Sequence, residues 1–290
     1  MGCALENLML AAAANGYAAS ATLLPGKLTQ SAAYPGHELV AQVGLVPDQK
    51  QQSELYDAIP YRHTNRNAYH LETLPPEFVE KIRQLPGGEA AIKVFVFSAL
   101  EDRNRIVEMI SRANDIVYAD PQVDRGSNQW VRTEWSDVQK FRDGLIWDES
   151  GESPLTVAAL KFMPPWGRRF VFRHKLLGGR SYSDLLHATP LFGVIAVRDR
   201  YDRAQSLGAG RIWQRAHLLA TARHLAGRPV NEAVELIDHQ RSLDQEPQAM
   251  AELSGLIGEN GWEPTFMFRL GYPVRQVSPS PRRPVDDVLL

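Results

Sequence analysis

Two short segments carry the groups best able to hold an anion: Arg62-His63-Thr64-Asn65-Arg66, and Ser280-Pro281-Arg282-Arg283-Pro284 near the far end of the chain. Each sets two guanidinium groups beside a small hydroxyl or a proline. Arginine forks onto phosphate bidentately and keeps its charge at any working pH. A phosphorylated ligand could therefore be clasped between a mid-chain segment and the C-terminal tail. The plainer alternative pairs Arg62 and Arg66 with nearby acids such as Asp57 or Glu72.

Other chemistry is sparse. A single cysteine, Cys3, in 290 residues excludes an internal disulfide and any multi-cysteine metal site. Redox chemistry would need a borrowed cofactor. The histidines form no His-Glu-x-x-His pattern; His217 and His224, on one helical face, read as packing or surface residues. Gly208-Ala209-Gly210 lacks the third glycine of a dinucleotide fingerprint. Trp130, Trp135, Phe141, Trp147 and Trp166 either line a pocket or serve as buried ballast. A formal net charge of -2 leaves no basic footprint for nucleic acid and no polybasic patch for a membrane. The apolar run Leu8–Ala14 is broken by Asn15-Gly16 and has no basic region before it, so it reads as a core helix rather than a signal. No stretch approaches the roughly 20 apolar residues of a spanning helix.

The elements that must position these arginines follow from pattern. Gly2–Ala14 reads as a strongly apolar helix, followed by a strand Glu38–Pro47. The run from Gly210 to Ala222 repeats that helix at an offset of 208, matching Gly2 with Gly210, Leu10 with Leu218 and Ala12 with Ala220. It too leads to a strand, Thr265–Pro273, with a similar exit. Between them lie a helix near Pro76–Gln84, a strand Ile92–Phe97, a helix Leu100–Val117 with Glu101 and Asp102 in its first turn, and a partly helical Asp120–Gly144. Leu191–Val197 is a continuous apolar run, the mark of a central strand buried on both faces. The class is α+β or α/β. Asp148–Ala188, rich in Pro, Gly and Arg, is either a lid or a solvated crossover.

The bis-arginine motif Ile59-Pro60-Tyr61-Arg62-His63-Thr64-Asn65-Arg66, the exit Arg269-Leu270-Gly271-Tyr272-Pro273 and the tail Ser280–Leu289 occur in the order found in the nitroreductase family. The chain resembles its Acg-type branch, in which two nitroreductase-like halves are fused. The resemblance implies an α+β fold with a mixed central sheet flanked by helices, an internal pseudo-dimer and one monomer-internal flavin site. Residues 1–57 would be the remnant of the first half, and 58–290 the second half, with a lid-like insert at 148–188.

Carried over residue by residue, the resemblance makes Arg62, Thr64, Arg66, Arg282 and Arg283 the anchors of FMN, and places Gly227, in Gly227-Arg228-Pro229-Val230-Asn231, near the ring. An ordinary helix cap is the other meaning of Gly227. The implied activity is electron transfer from NAD(P)H or another reductant to a small-molecule acceptor, with no protein nucleophile. The Arg168-Arg169 and Arg173-His174-Lys175 cluster would then receive dinucleotide phosphates or simply face solvent. The alternatives are a flavin-sequestering protein with little turnover and a truncated, flavin-free fragment. Relatives carry a Pro-Ser-x-x-Asn-x-Gln-Pro-Trp segment before the first Ala-rich helix, which this sequence lacks. The first half is therefore expected to be cut short, and the compartment to be cytoplasmic unless an upstream export signal has been lost.

Overall fold

Every residue of Leu191–Val197 is buried, as a strand with partners on both edges and helices over both faces must be. The structure, a computed structural model, describes residues 1–28, 38–132, 134–149, 151, 153–164, 167, 182–277 and 279–287. Its elements run as α1 (Gly2–Ala14), β1 (Tyr17–Leu23), β2 (Ala41–Pro47), α2 (Glu54–Ala58) with a 3-10 turn (Ile59–Tyr61), α3 (Pro76–Gln84), β3 (Ile92–Phe97), α4 (Leu100–Ala119) and α5 (Pro121–Asn128). There follow β4 (Val131–Arg132), α6 (Trp135–Phe141), β5 (Leu145–Ile146), a 3-10 turn (Trp147–Glu149), α7 (Pro154–Phe162), α8 (Tyr182–His187), β6 (Leu191–Val197) and α9 (Arg203–Ala222). The chain continues through β7 (Ala226–Pro229), α10 (Glu232–Ser242), α11 (Gln248–Ile257) and β8 (Glu263–Gly271) to a last 3-10 turn (Val285–Asp287).

The central sheet has the order β3-β6-β8-β7, antiparallel at each pairing. A one-residue parallel bridge from Thr64 to Gly227 extends it beyond the short strand β7, so the bis-arginine segment lies along the sheet margin. Successive side chains of a strand point to opposite faces. Phe192, Val194 and Ala196 accordingly join a core with α4, α10 and α11, while Leu191, Ile195 and Val197 join another with α3 and α9. Gly193 breaks the series because the Phe268 ring fills its place: a Cβ at Gly193 would lie 2.2 Å from that ring. The result is a three-layer α+β molecule.

Helix α1 packs on α9 where Gly2 and Gly210 meet; a Cβ on Gly2 would lie 2.8 Å from the Gly210 Cα. The two aligned positions of the repeat are thus in contact. Glu6, buried in the same contact, accepts from Arg211 Nε at 2.9 Å and Arg215 Nε at 2.6 Å, and Gln214 donates to Asn7 at 2.7 Å.

The strand expected from Glu38 begins at Ala41, and it has a partner that the sequence reading did not anticipate. β1 pairs with it antiparallel from Tyr17↔Pro47 to Leu23↔Ala41. Alanine-rich Tyr17–Leu23 has little strand propensity of its own, and cross-strand pairing overrides it. Within the expected irregular stretch 148–188 stand two helices, α7 and α8. Trp166, Arg168, Arg169, Arg173, His174 and Lys175 lie outside the described residues. Among the described residues, no helix is long and apolar enough to cross a membrane.

Candidate anion site

Arg62 follows the 3-10 turn, its N–H donating to the Ala58 carbonyl at 3.0 Å, and the chain then extends into the Thr64 bridge. Side chains alternate along extended backbone. Asn65 and Asn67 are buried, whereas Arg62, Thr64 and Arg66 keep partial access to solvent. The buried amides tie the segment to its surroundings. The Asn65 N–H donates to Gly227 O at 3.2 Å, its Nδ2 donates to Arg275 O at 2.8 Å, and its Oδ1 accepts from the Asn67 N–H at 2.9 Å. Arg275 returns the link by donating to Asn67 Oδ1 at 2.8 Å. The start of the tail is thereby fixed beside the arginines.

Arg269, on β8, is fully buried. Nη1 donates to Leu185 O at 3.1 Å and Thr189 Oγ1 at 3.2 Å; Nη2 donates to Arg66 O at 3.2 Å and Asn67 O at 2.8 Å. Its guanidinium also stacks 4.1 Å from the centre of the Tyr69 ring. A buried cation is tolerated only when its donors are met, and here backbone carbonyls and a π face meet most of them. The consequence is positional: Arg269 fixes the backbone from which the Arg66 side chain departs.

His217, on α9, orients the other arginine. Its Nδ1 lies 3.4 Å from Arg62 Nη1 and its Nε2 lies 3.2 Å from His63 O. A guanidinium only donates and a carbonyl only accepts, so the ring is neutral with its proton on Nε2. Burial, then the Arg62 charge, pushes its pKa down to about 3. Gly227 allows the ring this position, since a Cβ there would lie 2.9 Å from His217 Cδ2.

The tail reaches the bis-arginine segment through Arg282. Arg282 Nη2 donates to Arg62 O at 3.3 Å; burial, and then the Arg282 charge, holds the Arg62 pKa below its ordinary value. Burial and then Arg228 do the same to Arg66. Glu149 Oε2 sits 3.9 Å from Arg66 Nη1, with only 4% of its side chain exposed. Burial raises the Glu149 pKa, against a hydrogen bond from Ser280 and the charges of Arg66 and Arg282. Like charges gathered in a half-buried place demand an anion, and Glu149 is the internal one.

The expected anchors thus divide. Arg282 reaches the Arg62 carbonyl, and the charges of Arg66 and Arg282 both act on Glu149; Thr64 stands between the two arginines of its segment. Arg283, exposed, pairs with Asp143, which also takes Arg132 at 2.7 Å. Gly227 lies in strand β7 rather than in a loop or at a helix cap, and its carbonyl accepts from Asn65. The acids Asp57 and Glu72 do not pair with Arg62 or Arg66 among the described residues; Asp57 accepts from Gln52. Sequence reasoning passed over Glu149 and left Arg228 and Arg269 without a role in the clasp. Only Arg269, a charge inside an apolar strand, gave a readable signal.

Two cavities lie near this segment, and only the second is lined by an arginine of the cluster. One, of about 580 Å³, is lined by Glu54, Asp57, Tyr61, His63, Asn65 and Gln276 among others, and by none of Arg62, Thr64, Arg66 and Arg282. The other, of about 370 Å³, is lined by Trp135, Ile146, Pro281 and Arg282 among others.

No family model matches the chain, and no curated protein matches it. Among solved structures, a nitroreductase with bound FMN from Desulfitobacterium hafniense is 15% identical, covering 83% of this chain and 98% of that one at a TM-score of 0.48. Nitroreductase A from Vibrio parahaemolyticus is 11% identical over 83% and 76%, with a TM-score of 0.46. The NADPH:FMN oxidoreductase from Vibrio harveyi, complexed with NAD+, is 11% identical over 82% and 76%, with a TM-score of 0.46.

Proposed function

We propose that the chain is an FMN-binding, nitroreductase-like oxidoreductase whose flavin phosphate is held by Arg62, Thr64, Arg66 and Arg282. The observation that carries this reading is the convergence of the bis-arginine segment and the tail, more than 200 residues apart, through the Arg282–Arg62 hydrogen bond. The donor set fits the group. A phosphomonoester carries about -1.5 to -2 charges near neutral pH, and three guanidinium groups with one hydroxyl match its charge and its oxygens. The 370 Å³ cavity that Arg282 lines is of a size usual for ligands. Bound FMN supplies hydride and electron transfer. The residues of this chain hold and orient: Arg269 sets the backbone at Arg66, and neutral His217 sets Arg62. NAD(P)H is the proposed reductant and a small molecule the acceptor. Contact of Gly2 with Gly210 at the repeat offset supports reading 1–57 and 58–290 as parts of two related halves.

Replacing Arg62 and Arg66 together with Ala is expected to abolish retention of FMN through gel filtration; equal occupancy in the double variant would sink the assignment. One observation favours a second reading, flavin sequestration with little turnover. The stretch from β4 to α7 leans on the clasp, with Gly151 against the Arg66 carbonyl. Absorbance bleaching of bound flavin by NAD(P)H separates the two.

A further inference from the structure

We infer that Glu149 is a built-in competitor for the anion site: its carboxylate occupies the arginine cluster, and a phosphate-bearing ligand must displace it to bind. The inference rests on reading the cluster as an anion site, but not on the anion being a flavin.

The geometry carries it. Glu149 stands in a 3-10 turn anchored by Trp147, which packs in a small separate core with Val157 and Leu160. Its carboxylate is almost wholly withdrawn from solvent and takes a hydrogen bond from Ser280, yet among the described residues its nearest guanidinium contact is 3.9 Å, beyond hydrogen-bond range. Oε1 is buried with no hydrogen-bond partner among the described residues. A structural ion pair buried this deeply normally has its oxygens satisfied. Glu149 instead neutralises the arginines at close range without being clasped by them. A phosphoryl group brings more charge and three acceptor oxygens, so it pairs better with the same donors. Both anions cannot occupy the place together without like-charge repulsion. Asp148, next in sequence, is engaged by Lys161 at 2.7 Å, which leaves Glu149 as the carboxylate facing Arg66.

The test measures binding to the full chain with FMN, riboflavin and pyrophosphate as probes, comparing wild type with Glu149→Gln. The expected result is at least about tenfold tighter FMN and pyrophosphate in the variant, with riboflavin, which lacks the phosphate, unchanged. Tighter pyrophosphate without FMN binding by either protein would support the competition and overturn the flavin reading instead. Unchanged or weaker binding of both phosphate ligands, or an equal gain for riboflavin, would overturn the inference. A measurement on wild type alone guards against a misfolded variant. Saturating pyrophosphate is expected to speed tryptic cleavage at Lys161 or Arg142, which flank the displaced turn; unchanged or slower cleavage there would overturn it.

Discussion

Arg62 and Arg66 carry charge in a place where burial opposes it, and two other residues make that tolerable. His217 offers Arg62 a ring lone pair, and Arg269 pins the backbone at Arg66. Because His217 is buried with a pKa pushed down to about 3, the folded chain refuses a proton that the unfolded chain takes up below about pH 6.5. Stability is then fully present above that value and falls as pH drops toward 3, with a slope of up to about 1.4 kcal/mol per pH unit. His217→Gln keeps an acceptor and a donor but does not titrate. Urea unfolding between pH 7 and 4 is expected to show a shallower acid slope in the variant by about that amount; identical slopes would mean His217 does not stay neutral in the fold. The arginine pair was legible because its spacing is local. Glu149 was not, because nothing in Trp147-Asp148-Glu149 indicates that it will fold against residues some 80 positions earlier.

At the level of elements, the pairing of α1 with α9 turns on small residues and one acid. Gly2 and Gly210 let the backbones meet, and Glu6 is held by two arginines from α9. Removing one member of a buried charge cluster leaves the others uncompensated. Glu6→Ala is expected to cost on the order of 3 kcal/mol, read as a shift of the denaturation midpoint; a change below about 0.5 kcal/mol would mark the cluster as solvent-screened. The sequence showed β6, α4 and α9 clearly, since apolar runs and helical periodicity report burial directly. It hid β1, whose small residues acquire strand structure only from β2. It also gave β7 as a loop, because four residues including glycine and proline are too few to show a period.

Across the whole molecule, the tail returns from the end of β8 to the first half of the sheet margin. Val274 donates to Ala68 O at 3.1 Å and Arg275 reaches Asn67, so the tail remains attached even without its last residues. A chain ending at Gln276 is expected to keep its circular dichroism yet bind FMN about ten- to a hundredfold more weakly, the loss of one charge-assisted donor at Arg282. Undiminished affinity would remove the tail from the site. The Thr64–Gly227 bridge has a further consequence in time. Its partners are separated by most of the chain, and contacts of such span form late, after intervening segments have lost their freedom. A ribosome that has released only the first two hundred residues holds Arg62 and Arg66 with neither the strand that aligns them nor the guanidinium that fixes their backbone. Ligand capture would therefore report that β8 has docked, silent in every nascent intermediate that still lacks that strand.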